Sequence, residues 1–156
     1  MKGKQNKRWE TLGFRDLGID NLYSLLSFRQ RIFVVEQECP YEDLDGVDQS
    51  SDHIMCFDGS DIIAYSRSSP PATGSNSSAL SRIAVCHLNR NAGLGRELLK
   101  KSIDFNFAKW PDSQICISAQ TYLIEFYQSL GFLSVGSDYQ EDGIPHIKMV
   151  LALTKY

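Results

Sequence analysis

The most informative stretch of the sequence is Ser81–Arg96, SRIAVCHLNRNAGLGR. The stretch is apolar and β-branched up to Val85, which predicts a strand. A loop with the pattern Arg90-x-x-Gly93-x-Gly95 follows, and a long helical pattern opens inside it. Two glycines remove Cβ atoms, so several backbone N–H groups can converge on one point, where the positive end of the helix dipole adds to them. The stretch therefore predicts a strand–loop–helix unit that cradles a pyrophosphate.

Two well-known nucleotide-binding motifs do not match this glycine turn. A P-loop needs Lys and then Ser or Thr after its last glycine, and both are missing. A dinucleotide-binding fingerprint needs a third small residue where Leu98 stands. A plain strand-to-helix turn that uses glycine only for tightness stays open, but Arg90 and Arg96 add two cationic charges to the loop, which favours anion binding.

Patterning on either side of this unit predicts seven strands and three helices in the order β-α-β-β-β-α-β-α-β-β. The predicted strands are Trp9–Phe14, His53–Phe57, Ile62–Ser66, Ala79–Val85, Gln114–Ala119, Phe132–Tyr139 and Ile144–Leu153, and the predicted helices are Asn21–Val35 (with Asp20 as its N-cap), Leu94–Ala108 and Tyr122–Leu130. A strand–helix–strand unit requires a parallel pair, and hairpins are antiparallel. We therefore expect one α/β domain over residues 9–156, after a flexible basic tail over residues 1–8.

Composition narrows the function classes. The chain has 156 residues, 42% of them hydrophobic, and a net charge of -3. A mildly acidic protein without a basic stripe is not expected to bind nucleic acid, and no apolar run approaches the roughly 20 residues of a membrane helix. The absence of a secretion signal predicts a cytoplasmic protein. Oligomeric state stays open, although a homodimer is the commonest soluble assembly.

The cysteines and the acidic segment favour no metal site. The spacing of the four cysteines excludes a C-x-x-C motif, and three stand in apolar runs that predict buried thiols: Cys56, Cys86 and Cys116. Seven carboxylates and no Lys or Arg occur between Glu36 and Asp52. A calcium loop fails there because Val47 occupies a ligand position. The segment is either a solvated loop or a rim that selects a cationic acceptor.

Two motifs in order resemble GNAT N-acetyltransferases. The glycine loop is similar to the family's acetyl-CoA loop, Gln/Arg-x-x-Gly-x-Gly/Ala, and Glu125–Phe132, EFYQSLGF, resembles its F-Y-x-x-x-G-F signature. The likeness covers about residues 9–153. Further short motifs resemble the ElaA-like branch: Phe33–Gln37, Cys39–Tyr41, Asp45-Gly46 and Gly143–Ile147.

The resemblance implies a GNAT-like fold, with a mixed, mostly antiparallel sheet, a central parallel splayed pair and helices on both faces. It implies acetyl-CoA as cosubstrate and a small-molecule or peptidyl amine as acceptor, with a small cationic amine preferred. The pantetheine arm would pair with the backbone of the strand before the loop, and the pyrophosphate would bind the loop itself. The residues implied in cofactor binding are Ile83, Ala84, Val85, Arg90, Asn91, Gly93, Leu94, Gly95 and Arg96.

The resemblance also implies catalytic residues, but here the sequence departs from the family pattern at the general base. Tyr127 matches the tyrosine that protonates the departing sulfur. Many members carry a glutamate on the fourth strand, but this sequence has none there. The candidate bases are Glu36, His53 and His146, and a water relay or the absence of a dedicated base are the alternatives. A non-catalytic acyl-CoA-binding module is the alternative function; it would keep the glycine loop without needing Tyr127.

Overall fold

The structure, a computed structural model, describes residues 7–153. Along this part of the chain, strands and helices follow one another in the predicted order. The strands are β1 (Lys7–Gly13), β2 (Asp52–Asp58), β3 (Asp61–Ser69), β4 (Ser77–Val85), β5 (Gln114–Gln120), β6 (Leu133–Glu141) and β7 (Ile144–Leu151). The helices are α1 (Gly18–Arg29), α2 (Leu94–Lys109) and α3 (Ile124–Gln128).

One seven-stranded sheet contains all of these strands, in the order β1-β2-β3-β4-β5-β7-β6. Only β4 and β5 pair in parallel, and the other neighbours are antiparallel. The single parallel pair is the one joined through α2, because a crossover helix is what a parallel connection needs. The predicted fold class, a mixed sheet with a central parallel pair, is confirmed.

Helices cover both faces of the sheet. On one face, Leu25 and Phe28 of α1 pack against β2 and β3, around Met55. On the opposite face, α2 and α3 cover the other half of the sheet, and Leu99 and Tyr127 lie there in one buried cluster. The two sides are separated because successive side chains of a strand point to opposite faces.

Element boundaries differ from the sequence predictions at several points. The first helix begins at Gly18 rather than behind an Asp20 cap, and no side chain caps it. Its last part, Gln30–Glu36, is a wider π-helical segment. The expected helix from Tyr122 to Leu130 is a 3-10 turn followed by the short α3. Periodicity places a helix but cannot distinguish these tighter and wider turns, which differ by one residue in hydrogen-bond spacing.

The N-terminal boundary also moves. Lys7 and Arg8, expected in the basic tail, form the start of β1 and pair with Asp58 and Phe57. Residues 1–6 of the predicted tail lie outside the described residues.

All four cysteines are free thiols, but Cys86 and Cys116 are half-buried rather than buried. None of the helices among residues 7–153 has the length and apolar character to cross a membrane.

Candidate functional site

The parallel strands β4 and β5 separate soon after they begin to pair. Their pairing covers only Ser77–Ala79 against Gln114–Cys116. Beyond that point the two strands line opposite walls of a cavity of about 770 Å³. The wall from β4 is Leu80–Val85, and Ser118 and Gln120 lie on the β5 side. The backbone of β4 therefore has no strand partner on its cavity side.

A bulge turns the cavity end of β4. The pairing of β3 with β4 shifts register between Tyr65 and Arg67, so that Arg82 and Ile83 together oppose one residue of β3. Arg82 takes a positive φ of 52° there. A bulge of this kind bends the strand and redirects its backbone groups. Here it redirects Ile83–Val85, the segment predicted to pair with the pantetheine arm, alongside the cavity.

The glycine turn forms one end of the cavity. Asn91, Gly93, Gly95 and Arg96 line it. Gly93 takes φ 81°, a left-handed conformation that favours glycine, and α2 begins at the next residue. Glu97 is the first residue of α2 whose backbone N–H has an acceptor: it donates to the Gly93 carbonyl over 3.1 Å.

Three backbone donors at the start of α2 are left free. Among residues 7–153, no group accepts a hydrogen bond from the N–H of Leu94, Gly95 or Arg96. Free amides at the start of a long helix are where anions bind in proteins. The Leu94 side chain points into the core, so only its backbone can contribute to this site.

Two guanidinium groups flank these amides. Arg90 donates from Nε to the Val85 carbonyl over 3.0 Å, and its Nη2 lies 2.5 Å from Oε1 of Glu36. Arg96 donates from Nη2 to the Ser129 hydroxyl over 2.8 Å. Each guanidinium carries five N–H groups, so both retain donors for an anion. The turn thus combines free amides with two held cations.

Tyr127 lies between the cavity and the core. It is only 6% exposed, and its ring meets Phe126 and Phe132 edge-on. Its hydroxyl has no hydrogen-bond partner among the described residues, and the residue lines the cavity. Burial raises the pKa of Tyr127 above its usual value. The phenol is therefore protonated at neutral pH and can act as a proton donor.

His146 lies on β7 with one nitrogen committed to the backbone. Its Nδ1 lies 2.7 Å from the Ile144 carbonyl oxygen. Because a carbonyl can only accept, Nδ1 carries the hydrogen and Nε2 of the neutral ring is a free acceptor. Nε2 lies 3.9 Å from Oε2 of Glu141, too far for a hydrogen bond. His146 lines the same cavity as Tyr127.

The other two candidate bases have structural partners. Both ring nitrogens of His53 are bonded: Nδ1 lies 2.8 Å from the Tyr65 hydroxyl and Nε2 lies 3.1 Å from the Asp48 carbonyl. His53 is fully buried outside the cavity, and burial lowers its pKa. Glu36 lines the cavity but is engaged by Arg90 at the glycine-turn end. Of the three, His146 alone lines the cavity without a cationic partner among the described residues.

Most of the acidic segment is neutralised inside the fold. Burial alone would raise the pKa of Asp48, but hydrogen bonds from Arg29 and Arg67 outweigh it and hold the pKa below its usual value. Arg29 is completely buried between Asp43 and Asp48. The pairs in this network are Arg29–Asp43, Arg29–Asp48, Arg67–Asp45, Arg67–Asp48, Arg82–Asp43 and Arg82–Asp45. Asp43, Asp45 and Asp48 thus belong to a structural ion-pair network, while other residues of the same segment line the cavity: Glu36, Gln37, Cys39 and Tyr41.

Known proteins share both the sequence and this architecture. The family model described as "Acetyltransferase (GNAT) domain" matches residues 24–153. Protein ElaA from Escherichia coli K12 is 38% identical over 143 residues, which cover 90% of this chain and 94% of that protein. Its crystal structure superposes with a TM-score of 0.89 and 35% identity, covering 94% of this chain and 99% of that chain.

A solved structure named for an activity is equally similar. The crystal structure of an acyl-CoA N-acyltransferase from Pseudomonas aeruginosa gives a TM-score of 0.89 at 34% identity, covering 94% of this chain and 99% of that chain. Fold, cavity and sequence agree on the class of protein, an acyltransferase of GNAT architecture. The chain belongs to the GNAT acetyltransferase family.

Proposed function

We propose that this protein transfers an acetyl group from acetyl-CoA directly to a primary amine, with a small cationic amine as acceptor. The observation that carries the proposal is the separation of β4 and β5 next to the glycine turn. One cavity thereby has anion-binding amides at one end, and Tyr127 and His146 further along it. A long cosubstrate with a diphosphate and a distant thioester matches that arrangement.

The residues present fit acetyl-CoA. The free N–H groups of Leu94, Gly95 and Arg96 suit a diphosphate, with Arg90 as counter-charge. The unpaired cavity side of Ile83–Val85 suits the amide groups of a pantetheine arm, which would add to the sheet as a strand does. The thioester supplies an activated acyl group whose leaving group is a thiolate.

Two proton transfers are assigned to this chain. His146 Nε2 takes one proton from the acceptor ammonium, which frees the nitrogen lone pair for attack. Tyr127 gives its proton to the sulfur as the carbon–sulfur bond breaks and the carbon–nitrogen bond forms. The proton then lost by the new amide nitrogen returns to the Tyr127 oxygen. The reaction releases the proton held by His146 to solvent.

Four free thiols are consistent with a reducing, cytoplasmic location.

A thiol-release assay with acetyl-CoA and a panel of primary amines tests the proposal. We expect Tyr127→Phe to reduce kcat by about 100-fold, which is within the range for loss of a general acid, while CoA affinity by calorimetry is unchanged. Tyr23→Phe is the matched control, because Tyr23 is 77% exposed on α1, away from the cavity.

Two results would redirect the assignment. CoA binding without thiol release for any amine would identify the protein as an acyl-CoA-binding module instead. Full turnover by Tyr127→Phe would remove the assigned proton donor.

A further inference from the structure

One sheet face at the far end of the cavity carries polar side chains that have no role in the fold described above. Ile117, Ala119 and Ile147 point into the core under α2 and α3. Their strand neighbours Ser118 and His146 therefore point to the opposite face. That face of β5, β7 and β6 is where the cavity opens.

Glu141 is held in place on this face by a chain of hydroxyl groups. The Ser118 hydroxyl donates to Oε2 of Glu141 over 2.7 Å. The Tyr139 hydroxyl bonds to the same Ser118 oxygen, and the Tyr139 ring stacks on His146 with centroids 6.2 Å apart. Since Ser118 has one hydrogen and gives it to Glu141, Tyr139 donates to Ser118. The chain of donors thus orients the carboxylate beside the imidazole.

The gap between Glu141 and His146 fits one nitrogen atom. Oε2 and Nε2 are 3.9 Å apart, and both atoms are hydrogen-bond acceptors when the imidazole is neutral. A nitrogen about 2.9 Å from each atom satisfies both at once. His146 is 9% exposed, and its Nε2 has no hydrogen-bond partner among residues 7–153. An acceptor nitrogen that is accessible from the cavity and lies beside a carboxylate is matched by a donor with at least two N–H groups.

The charge of Glu141 is available for such a donor. Among the described residues, no Lys or Arg forms an ion pair with it. Glu36 is engaged by Arg90, and Asp43 by Arg29 and Arg82, whereas Asp142, which also lines the cavity, has no ion pair among the described residues. Glu141 differs from Asp142 in that its carboxylate lies 3.9 Å from His146 Nε2.

We infer that Glu141 recognises the acceptor's ammonium group and presents it to His146. The inference rests on the proposed function and names its acceptor class: unhindered primary alkylamines, which are protonated at neutral pH. One N–H donates to Glu141, which keeps its charge throughout. A second proton passes from the nitrogen to His146 Nε2, leaving a neutral amine still held by Glu141. Ser118 and Tyr139 are positioning residues in this arrangement.

Steady-state kinetics on Glu141→Gln with two acceptors test the inference. One acceptor is a protonated alkylamine such as n-propylamine, and the other is methoxyamine, which is neutral at assay pH. We expect kcat/KM for the alkylamine to fall about 10-fold to 100-fold, mostly through KM, because a hydrogen bond to a charged group is lost. For methoxyamine the change should be less than about threefold. CoA affinity by calorimetry should be unchanged.

Glu42→Gln is the matched control, because it removes one negative charge from an exposed residue outside the cavity. Glu141→Asp keeps the charge at shorter reach and should recover part of the alkylamine activity. Equal losses for both acceptors, or no loss for either, would overturn the assignment of Glu141 while leaving the acetyltransferase proposal standing. Wild-type protein that releases thiol with other amines of the panel but not with the alkylamine would overturn the inference alone, and no thiol release with any amine would overturn both.

Discussion

Replacing Gly93 with alanine should weaken CoA binding or folding by a predictable amount. Gly93 takes φ 81° at the residue before α2, and the free amides of the turn depend on that conformation. An added Cβ meets nothing within 4 Å, so the substitution introduces no clash. The penalty therefore comes from the backbone alone.

The magnitude follows from that single cause. A left-handed conformation costs an alanine about 1–2 kcal/mol. The same change makes the unfolded chain less flexible, which returns about 0.4–1 kcal/mol to the folded state. The net penalty is about 1 kcal/mol, equivalent to about fivefold in an equilibrium constant. If the turn keeps its conformation, the penalty lowers the free energy of unfolding. If the turn relaxes, the penalty weakens the affinity for CoA.

Calorimetric CoA titration and urea unfolding, run on the same protein, measure both effects. Gly95→Ala is the matched control, because its Cβ would lie 3.7 Å from Val85 and 3.9 Å from Phe126, which is ordinary contact. The GNAT loop pattern also accepts alanine at this position. Wild-type affinity and stability in Gly93→Ala, or losses in Gly95→Ala at least as large, would refute the reasoning.

Two further predictions concern charge. Asp48→Asn should destabilise the protein by about 3 kcal/mol in urea unfolding, because Arg29 and Arg67 lose a buried partner, whereas Glu42→Gln should change stability by less than about 0.5 kcal/mol. Because the pKa of Asp48 is lowered in the folded protein, the stabilisation by its carboxylate is present above about pH 4 and is lost as the pH falls further. Asp48→Asn should therefore lose stability less steeply than the wild type in acid. An unchanged slope of stability against pH would contradict the ion-pair network. Arg90→Gln should raise the Kd for CoA about tenfold and make CoA binding less dependent on salt. The control is Arg15→Gln, at an exposed residue. Equal effects from both variants would show only a general charge effect.

The order of elements and the glycine turn can be predicted from local sequence. Strand alternation, the two-residue turn between Asp58 and Asp61, and the periodicity of α2 are all short-range signals. The Arg90-x-x-Gly93-x-Gly95 pattern is equally local, and its Arg90, Gly93 and Gly95 line the cavity. These features need no knowledge of which strands are neighbours.

The rest of the site depends on contacts between distant residues. Arg82 reaches Asp43, 39 residues away, and Ser118 reaches Glu141, 23 residues away. No local pattern marks such pairs, because they arise from sheet order and register. The sequence Glu141-Asp142-Gly143 indicates only a turn, so no local signal assigns Glu141 to the site. The acidic segment looks solvent-facing in the sequence for the same reason, since its arginine partners come from α1, β3 and β4.

A crystal structure of the protein with CoA would show whether the glycine turn binds the diphosphate and directs the thiol toward Tyr127. We expect the diphosphate to accept hydrogen bonds from the N–H groups of Leu94–Arg96. We also expect the sulfur to lie within about 3.5 Å of the Tyr127 hydroxyl, with the arm alongside Ile83–Val85. A diphosphate bound away from these amides, or a sulfur out of reach of Tyr127, would contradict this arrangement.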